Sequence, residues 1–254
     1  MTLRVVITGA SSGIGAALAH EYARRGATLG LLARRAEALQ ELLRELPCPV
    51  SIYPADVRDA AAVSAAARDF QARHGGADIV IASAGVSVGT LTERAQDRDV
   101  FQEIFDINVM GMVNTFAPFI ASMRDAGAGT LVGIASVAGF RGLPGSGAYS
   151  ASKAAAITYL ESLRVELRGS GIAVVTLCPG YIATPMTQKN PYRMPFLLQP
   201  EQAAPRMVRA IARRPRMVVI PWQMGVVAAV LKLLPRPLYD VLFVRAPRKP
   251  GRSA

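Results

Sequence analysis

Short, nearly uninterrupted apolar runs punctuate the chain at residues 3–7, 29–33, 50–53, 79–82, 130–135, 173–178 and 217–220. Runs this short, rich in Val, Ile and Leu and without polar alternation, predict parallel strands covered on both faces. Between them lie alanine-rich stretches at 15–25, 36–45, 60–72, 101–123 and 150–168, whose apolar positions recur with the 3.6-residue period of a helix. The repeated strand–helix order predicts an α/β architecture, a single parallel sheet with helices on both faces. No linker interrupts the pattern, so residues 1–254 read as one domain. Pro185, Pro191, Pro195 and Pro200 rule out a long helix across 185–200 and predict a loop or lid there. Residues 222–254 form a basic, partly hydrophobic C-terminal extension.

Composition narrows the function classes. With 254 residues, 51% of them hydrophobic, the chain can bury a core without staples, which excludes a disordered or fibrous protein. Cys48 and Cys178 are far apart and form no CxxC pair, which fits a reducing, cytoplasmic setting. His20 and His74 are the two imidazoles and neither sits in a catalytic motif, so no metal site or His-based triad is expected. Residues 3–8 enter a strand and then glycines with no cleavage signature, so no secretory signal is expected.

The net charge of +11 is a local property. Residues 1–188 hold 16 basic and 16 acidic side chains, and residues 189–254 hold 13 basic against Glu201 and Asp240. Residues 217–234 are apolar apart from Gln223 and Lys232, and Arg236, Arg245, Arg248, Lys249 and Arg252 follow. Two readings compete: a packed strand and helix with a solvated basic end, or peripheral contact with an anionic membrane. A spanning helix is excluded by Pro221 and by length. Nucleic-acid binding is not expected, since no stacking surface or recognition motif accompanies the charges.

Candidate chemistry sits at the ends of the apolar runs. After the first comes Thr8-Gly9-Ala10-Ser11-Ser12-Gly13-Ile14-Gly15. Glycines there let the backbone approach a pyrophosphate held by a helix N-terminus, though a plain strand-to-helix turn uses the same residues. Arg34 and Arg35 follow the second run, where an acid would bind the ribose 2′-hydroxyl of NAD. A planar guanidinium suits a 2′-phosphate, so NADP(H) is preferred over NAD(H); two solvated helix-start arginines are the alternative. Tyr149 and Lys153 stand four apart, on one face of a helix, where an ammonium would lower the phenol below its usual pKa of about 10. Ser136 ends the fifth run, where its hydroxyl could hydrogen-bond a carbonyl. Asn108, an amide in an apolar stretch, serves either a core hydrogen bond or catalysis.

In order and spacing, Thr8 to Gly15, Asn108, Ser136, Tyr149, Lys153 and Pro179-Gly180-Tyr181-Ile182-Ala183-Thr184 resemble the short-chain dehydrogenase/reductase family over residues 4 to about 185. The resemblance implies a Rossmann-like three-layer α/β/α sandwich with a mostly seven-stranded sheet, assembled as a homodimer or homotetramer. It implies hydride transfer between the nicotinamide and a ketone, aldehyde or secondary alcohol. Tyr149 would be general acid/base and Ser136 would polarise the carbonyl. Lys153 would bind the nicotinamide ribose and lower the Tyr149 pKa, and Asn108 would hold a relay water. Asp56 and Val57 match the adenine-contacting position, Ala84 and Gly85 approach the cofactor, and Pro179, Gly180, Ile182 and Thr184 flank its carboxamide side. The family's Asn-Asn-Ala-Gly is Ala82-Ser83-Ala84-Gly85 here, and the C-terminal third departs from the usual short closing segment. Residues 86–90, 140–143 and 186–198 are the expected substrate walls, and Tyr192, Met194, Phe196 and Leu197 point to an apolar or lipid-like substrate. The competing class is a cofactor-binding scaffold or regulator without useful turnover.

Overall fold

In a computed structural model, which describes residues 2–251, the seven apolar runs form one sheet. The strands are β1 (Arg4–Thr8), β2 (Thr28–Ala33), β3 (Val50–Pro54), β4 (Ile79–Ala82), β5 (Gly129–Ile134), β6 (Ile172–Pro179) and β7 (Met217–Ile220). They lie in the order β3-β2-β1-β4-β5-β6-β7, all pairs parallel. The helices are α1 (Gly13–Arg24), α2 (Ala36–Glu45), α3 (Ala60–His74), α4 (Asp97–Phe105), α5 (Gly111–Asp125), α6 (Gly147–Glu166), α7 (Pro200–Ala212), α8 (Trp222–Leu233) and α9 (Arg236–Phe243).

Because successive strand residues face opposite ways, the apolar runs feed two cores. Val5, Ile7, Leu29 and Leu31 face Leu18 of α1, Leu39 of α2 and Met207 and Ile211 of α7. Val6, Val80, Leu131 and Val174 face Phe70 of α3, Phe116 and Phe119 of α5 and Leu160 of α6. Each large side chain so enclosed stabilises the fold by about 1.5–3 kcal/mol. Among the described residues one helical run, Asp97–Asp125, is long and apolar enough to cross a bilayer, but Phe116, Phe119 and Met123 commit it to the second core.

The single helix expected over 101–123 is longer and not uniform. A π-turn at Asp106–Met110 joins α4 to α5 and carries Asn108 to a position 1% exposed. Strand order reverses between β1 and β4, and a crevice opens beyond their C-terminal ends.

The 185–200 segment, expected as a loop or lid, is built of turns and is anchored near its C-terminal end. An isolated bridge joins Ile182 to Leu198, with Ala183 N donating to Leu198 O and Leu198 N donating to Tyr181 O. The C-terminal extension differs from a solvated end. Tyr239 of α9 donates through its hydroxyl to Gly142 O, and Gly89 N donates to Pro250 O at 2.9 Å, so the chain after α9 returns onto the domain. Arg252 lies outside the described residues.

Candidate active site

The crevice holds a cleft of about 580 Å³ at the C-terminal ends of β1, β2, β4, β5 and β6. Its first wall is the glycine turn. Gly9 has φ +69°, and a Cβ on it would meet the Ala84 backbone at 2.6 Å; a Cβ on Gly15 would meet Gly9 O at 2.2 Å. Only glycine at both positions lets the turn press against the loop after β4. Ser12 caps α1 without a side-chain hydrogen bond, so the first N–H groups of the helix are left for a ligand. Ser11, Gly13 and Ile14 complete this wall, and Thr184 packs on Gly13 from the opposite side.

At the end of β2, Arg35 donates through Nη2 to Ser11 O at 3.1 Å and is thereby fixed to the glycine turn. Arg34 faces the Asp56 carboxylate at 3.9 Å, a loose approach, since Arg58 grips the same group at 2.7 Å. The Arg58 hydrogen bonds hold Asp56 below the usual carboxylate range. The exposed Arg34 guanidinium is therefore only lightly committed. Val57, Ala84, Gly85, Pro179, Gly180 and Ile182 all line the cleft.

Ser136, Tyr149 and Lys153 meet on the far wall. Ser136 Oγ accepts from Ala138 N at 3.1 Å, which leaves its O–H free to donate. Lys153 Nζ donates to Ile134 O at 2.8 Å and lies 5.8 Å from the centre of the Tyr149 ring. Burial lowers the Lys153 ammonium to about 8. Burial also raises the Tyr149 phenol above its ordinary value, while its hydrogen bond with Ser136 works the other way. The expected lowering by Lys153 is not what sets the phenol in the protein alone, because the ammonium approaches the ring and bonds to a main-chain carbonyl.

Two expected residues stand behind the cleft. Thr8 is 1% exposed and meets Thr115 and Ile81 O. The Asn108 amide accepts from Val86 N at 2.8 Å and donates to Val86 O at 3.0 Å and Ser152 Oγ at 2.9 Å. The side chain is thus a brace between the π-turn, the loop after β4 and α6.

Ser152 was not singled out by the sequence reading. It donates to Tyr149 O at 2.8 Å while accepting from Asn108, and so couples the brace to the turn bearing Tyr149. Its position three after Tyr149 places it one turn along α6, and that spacing was the available signal. On the substrate side, Tyr192 of the lid sits within electrostatic range of Tyr181 and Tyr149, and burial pushes its phenol up to about 12. The rings of Tyr181 and Tyr192 meet edge-on at 6.4 Å, tying residue 192 to the segment after β6.

The short chain dehydrogenase family matches residues 4–194. An uncharacterized oxidoreductase of Myxococcus xanthus is 41% identical over 92% of this chain and 94% of its own length. A 2-dehydro-3-deoxy-L-rhamnonate dehydrogenase (NAD(+)) of a Sphingomonas strain is 36% identical over 73% of this chain and 74% of its own. Among solved structures, an alcohol dehydrogenase from the archaeon Thermococcus sibiricus, complexed with 5-hydroxy-NADP, superposes with a TM-score of 0.76 at 28% identity, covering 87% of this chain and 96% of that one.

Proposed function

Since this chain belongs to the short-chain dehydrogenase family, oxidoreductases that bind a nicotinamide cofactor, we propose that it is an NADP(H)-dependent reductase or dehydrogenase of ketones, aldehydes or secondary alcohols with Tyr149 as its acid/base. The observation that carries the reading is the meeting of Ser136, Tyr149 and Lys153 across one cleft from the glycine turn. The residues fit the cofactor: Gly9 and Gly15 leave a cradle that any Cβ would fill, uncapped N–H groups face it, and Arg34 and Arg35 flank it.

The bound cofactor supplies or accepts the hydride. Tyr149 Oη gives a proton to the carbonyl oxygen in reduction, or takes it from the alcohol in oxidation. Ser136 Oγ donates to the same oxygen and shares the developing charge. Lys153, held by Ile134 O, offers its remaining N–H groups to the cleft beside Tyr149. Asn108 holds Val86 and Ser152 and thus keeps the loop after β4 in register with α6. The 185–200 segment, with Pro185, Met186 and Lys189 on the cleft wall, acts as the lid that excludes water.

Preference for NADP(H) rests on Arg34, whose charge is available for a 2′-phosphate because Arg58 satisfies Asp56. Arg34→Leu is expected to weaken NADPH binding by roughly 10- to 100-fold, the loss of one or two charge-assisted hydrogen bonds, with little effect on NADH. Fluorescence titration with both nucleotides checks this, and equal losses would sink the 2′-phosphate assignment. Turnover of a carbonyl panel by the NADPH complex separates the enzyme from a catalytically inert scaffold.

A peripheral membrane contact belongs to the same proposal, supported by the outer face of the C-terminal extension. Trp222, Val226, Val230 and Leu233 make one exposed stripe on α8, Leu238, Val241 and Leu242 continue it on α9, and Lys232, Arg236 and Arg245 lie among them. The wild-type chain is expected to co-sediment with vesicles containing an anionic lipid, and a W222S/V226S/V230S variant to remain in the supernatant; identical partitioning removes the idea. Homodimer or homotetramer assembly in a reducing cytoplasm fits free Cys48 and Cys178 and the exposed Phe101 and Met110, and sedimentation equilibrium reads the assembly.

A further inference from the structure

The segment after α9 packs on the loop after β4 and the loop before α6, next to the cleft, and two glycines make room for it. A Cβ on Gly89 would meet Lys249 O at 2.1 Å, and one on Gly145 would meet Arg248 Cβ at 2.7 Å. Gly89 lies on the loop after β4, within the expected substrate wall 86–90, and Gly145 lies two residues beyond the expected wall 140–143, before α6. The returning chain therefore has a built seat, closed by the Gly89 N–H to Pro250 O bond.

From that seat Lys249 reaches inward. Its Nζ donates to Ser87 Oγ at 2.9 Å and to Met186 O at 3.4 Å, so one ammonium joins the loop after β4 to the lid. Ser87 and Met186 both line the cleft. An ammonium has three donors, and these two contacts leave one. Both acceptors are neutral. Lys189, also on the cleft wall, is the charged group that acts on Lys249, and it is a second cation. No carboxylate among the described residues forms an ion pair with either lysine. Burial first, and Lys189 second, lower the Lys249 ammonium to about 8. A partly buried cation gains from a nearby anion, the described residues supply none to Lys249, and the cleft lined by its partners Ser87 and Met186 adjoins it.

We propose that the cleft takes a carbonyl or alcohol substrate bearing an anionic group, a carboxylate, sulfonate or phosphate, and that Lys249 receives that group. The inference rests on the dehydrogenase reading and names its substrate class. Tyr149 and Ser136 then engage the reacting oxygen at one end of the substrate while Lys249, with Lys189 adding to the field, holds the charged end. Two-point attachment orients the carbonyl for transfer, so the anionic group contributes to turnover as well as to affinity.

The test compares para-formylbenzoate with its methyl ester as substrates of the full chain with NADPH. Wild type is expected to favour the acid in kcat/KM on the order of tenfold or more, one charge-assisted contact. K249M should bring the acid-to-ester ratio close to one, through a higher KM and a lower kcat for the acid, and K249R should restore most of it. Equal use of acid and ester by wild type, or an unchanged ratio in K249M, overturns the proposal. A purely structural tie would lower acid and ester together, and that outcome also overturns it. If wild type turns over neither compound, the dehydrogenase reading has failed on these carbonyls, and calorimetry of the NADPH complex still reads the site: terephthalate binding tightly, terephthalamide weakly and K249M neither supports the lysine's role, and equal binding of the two refutes it.

Discussion

Tyr149→Phe is expected to lower kcat by about 10³-fold, within the range for loss of a positioned general acid, while NADPH affinity stays near its starting value. Removing one oxygen leaves the ring, the Lys153 to Ile134 bond and the Ser152 bond to the Tyr149 carbonyl in place, since none of them uses the phenol. Ser136 keeps its bond from Ala138 N and can still donate to the substrate oxygen. Its proton is not a substitute, because an unassisted serine hydroxyl is too weak an acid to protonate the forming alkoxide in step with hydride transfer. Single-turnover measurements of NADPH oxidation, with binding followed separately, check both halves; normal turnover in the variant would exclude Tyr149 as the acid.

Gly15→Ala is expected to destabilise the protein by about 3 kcal/mol and to abolish measurable nucleotide binding, although it adds a single methyl group. That methyl would lie 2.2 Å from Gly9 O, and Gly9 is itself pinned against the Ala84 backbone. Neither neighbour is a flexible side-chain end, so relief must come from moving α1 away from β1 or the turn away from β4. Either movement spoils the cradle. The same substitution at Gly147, also in the first turn of a helix but without a positive φ and with nothing within 4 Å of its Cβ, separates overcrowding from a general dislike of alanine. Urea denaturation with nucleotide titration reads both effects, and a Gly15→Ala protein of normal stability and affinity would show that the turn is looser than its contacts indicate.

Local pattern sufficed for the sheet because its strands are buried on both faces, so the runs around Val6, Val80, Leu131 and Val174 are continuous and easily told from helices. The glycine turn and the Tyr149–Lys153 pair were equally legible, each being a short-range spacing with a direct geometric meaning. What escaped was non-local. Asn108 left two readings open, and only the fold shows its amide spent on Val86 and Ser152, residues 22 and 44 positions away. The expected effect of Lys153 on Tyr149 considered a helix face alone and omitted the burial of both groups, which pushes them the other way. Most basic C-terminal residues are exposed as expected, but composition cannot show that Gly89 and Gly145, more than 100 residues upstream of Lys249, leave room for the chain to return there.

The bond from Lys249 to Met186 O has a thermodynamic corollary. One ammonium touches both the 185–200 segment and the loop after β4, so any release of the returning chain would break a contact to each, and any movement of either would be coupled to it. Coupling free energies are reciprocal: whatever fraction of affinity a ligand gains from the docked chain, the chain gains in order from the ligand. An occupant of the cleft that binds better with the chain docked would, by the same reciprocity, order the residues that follow α9.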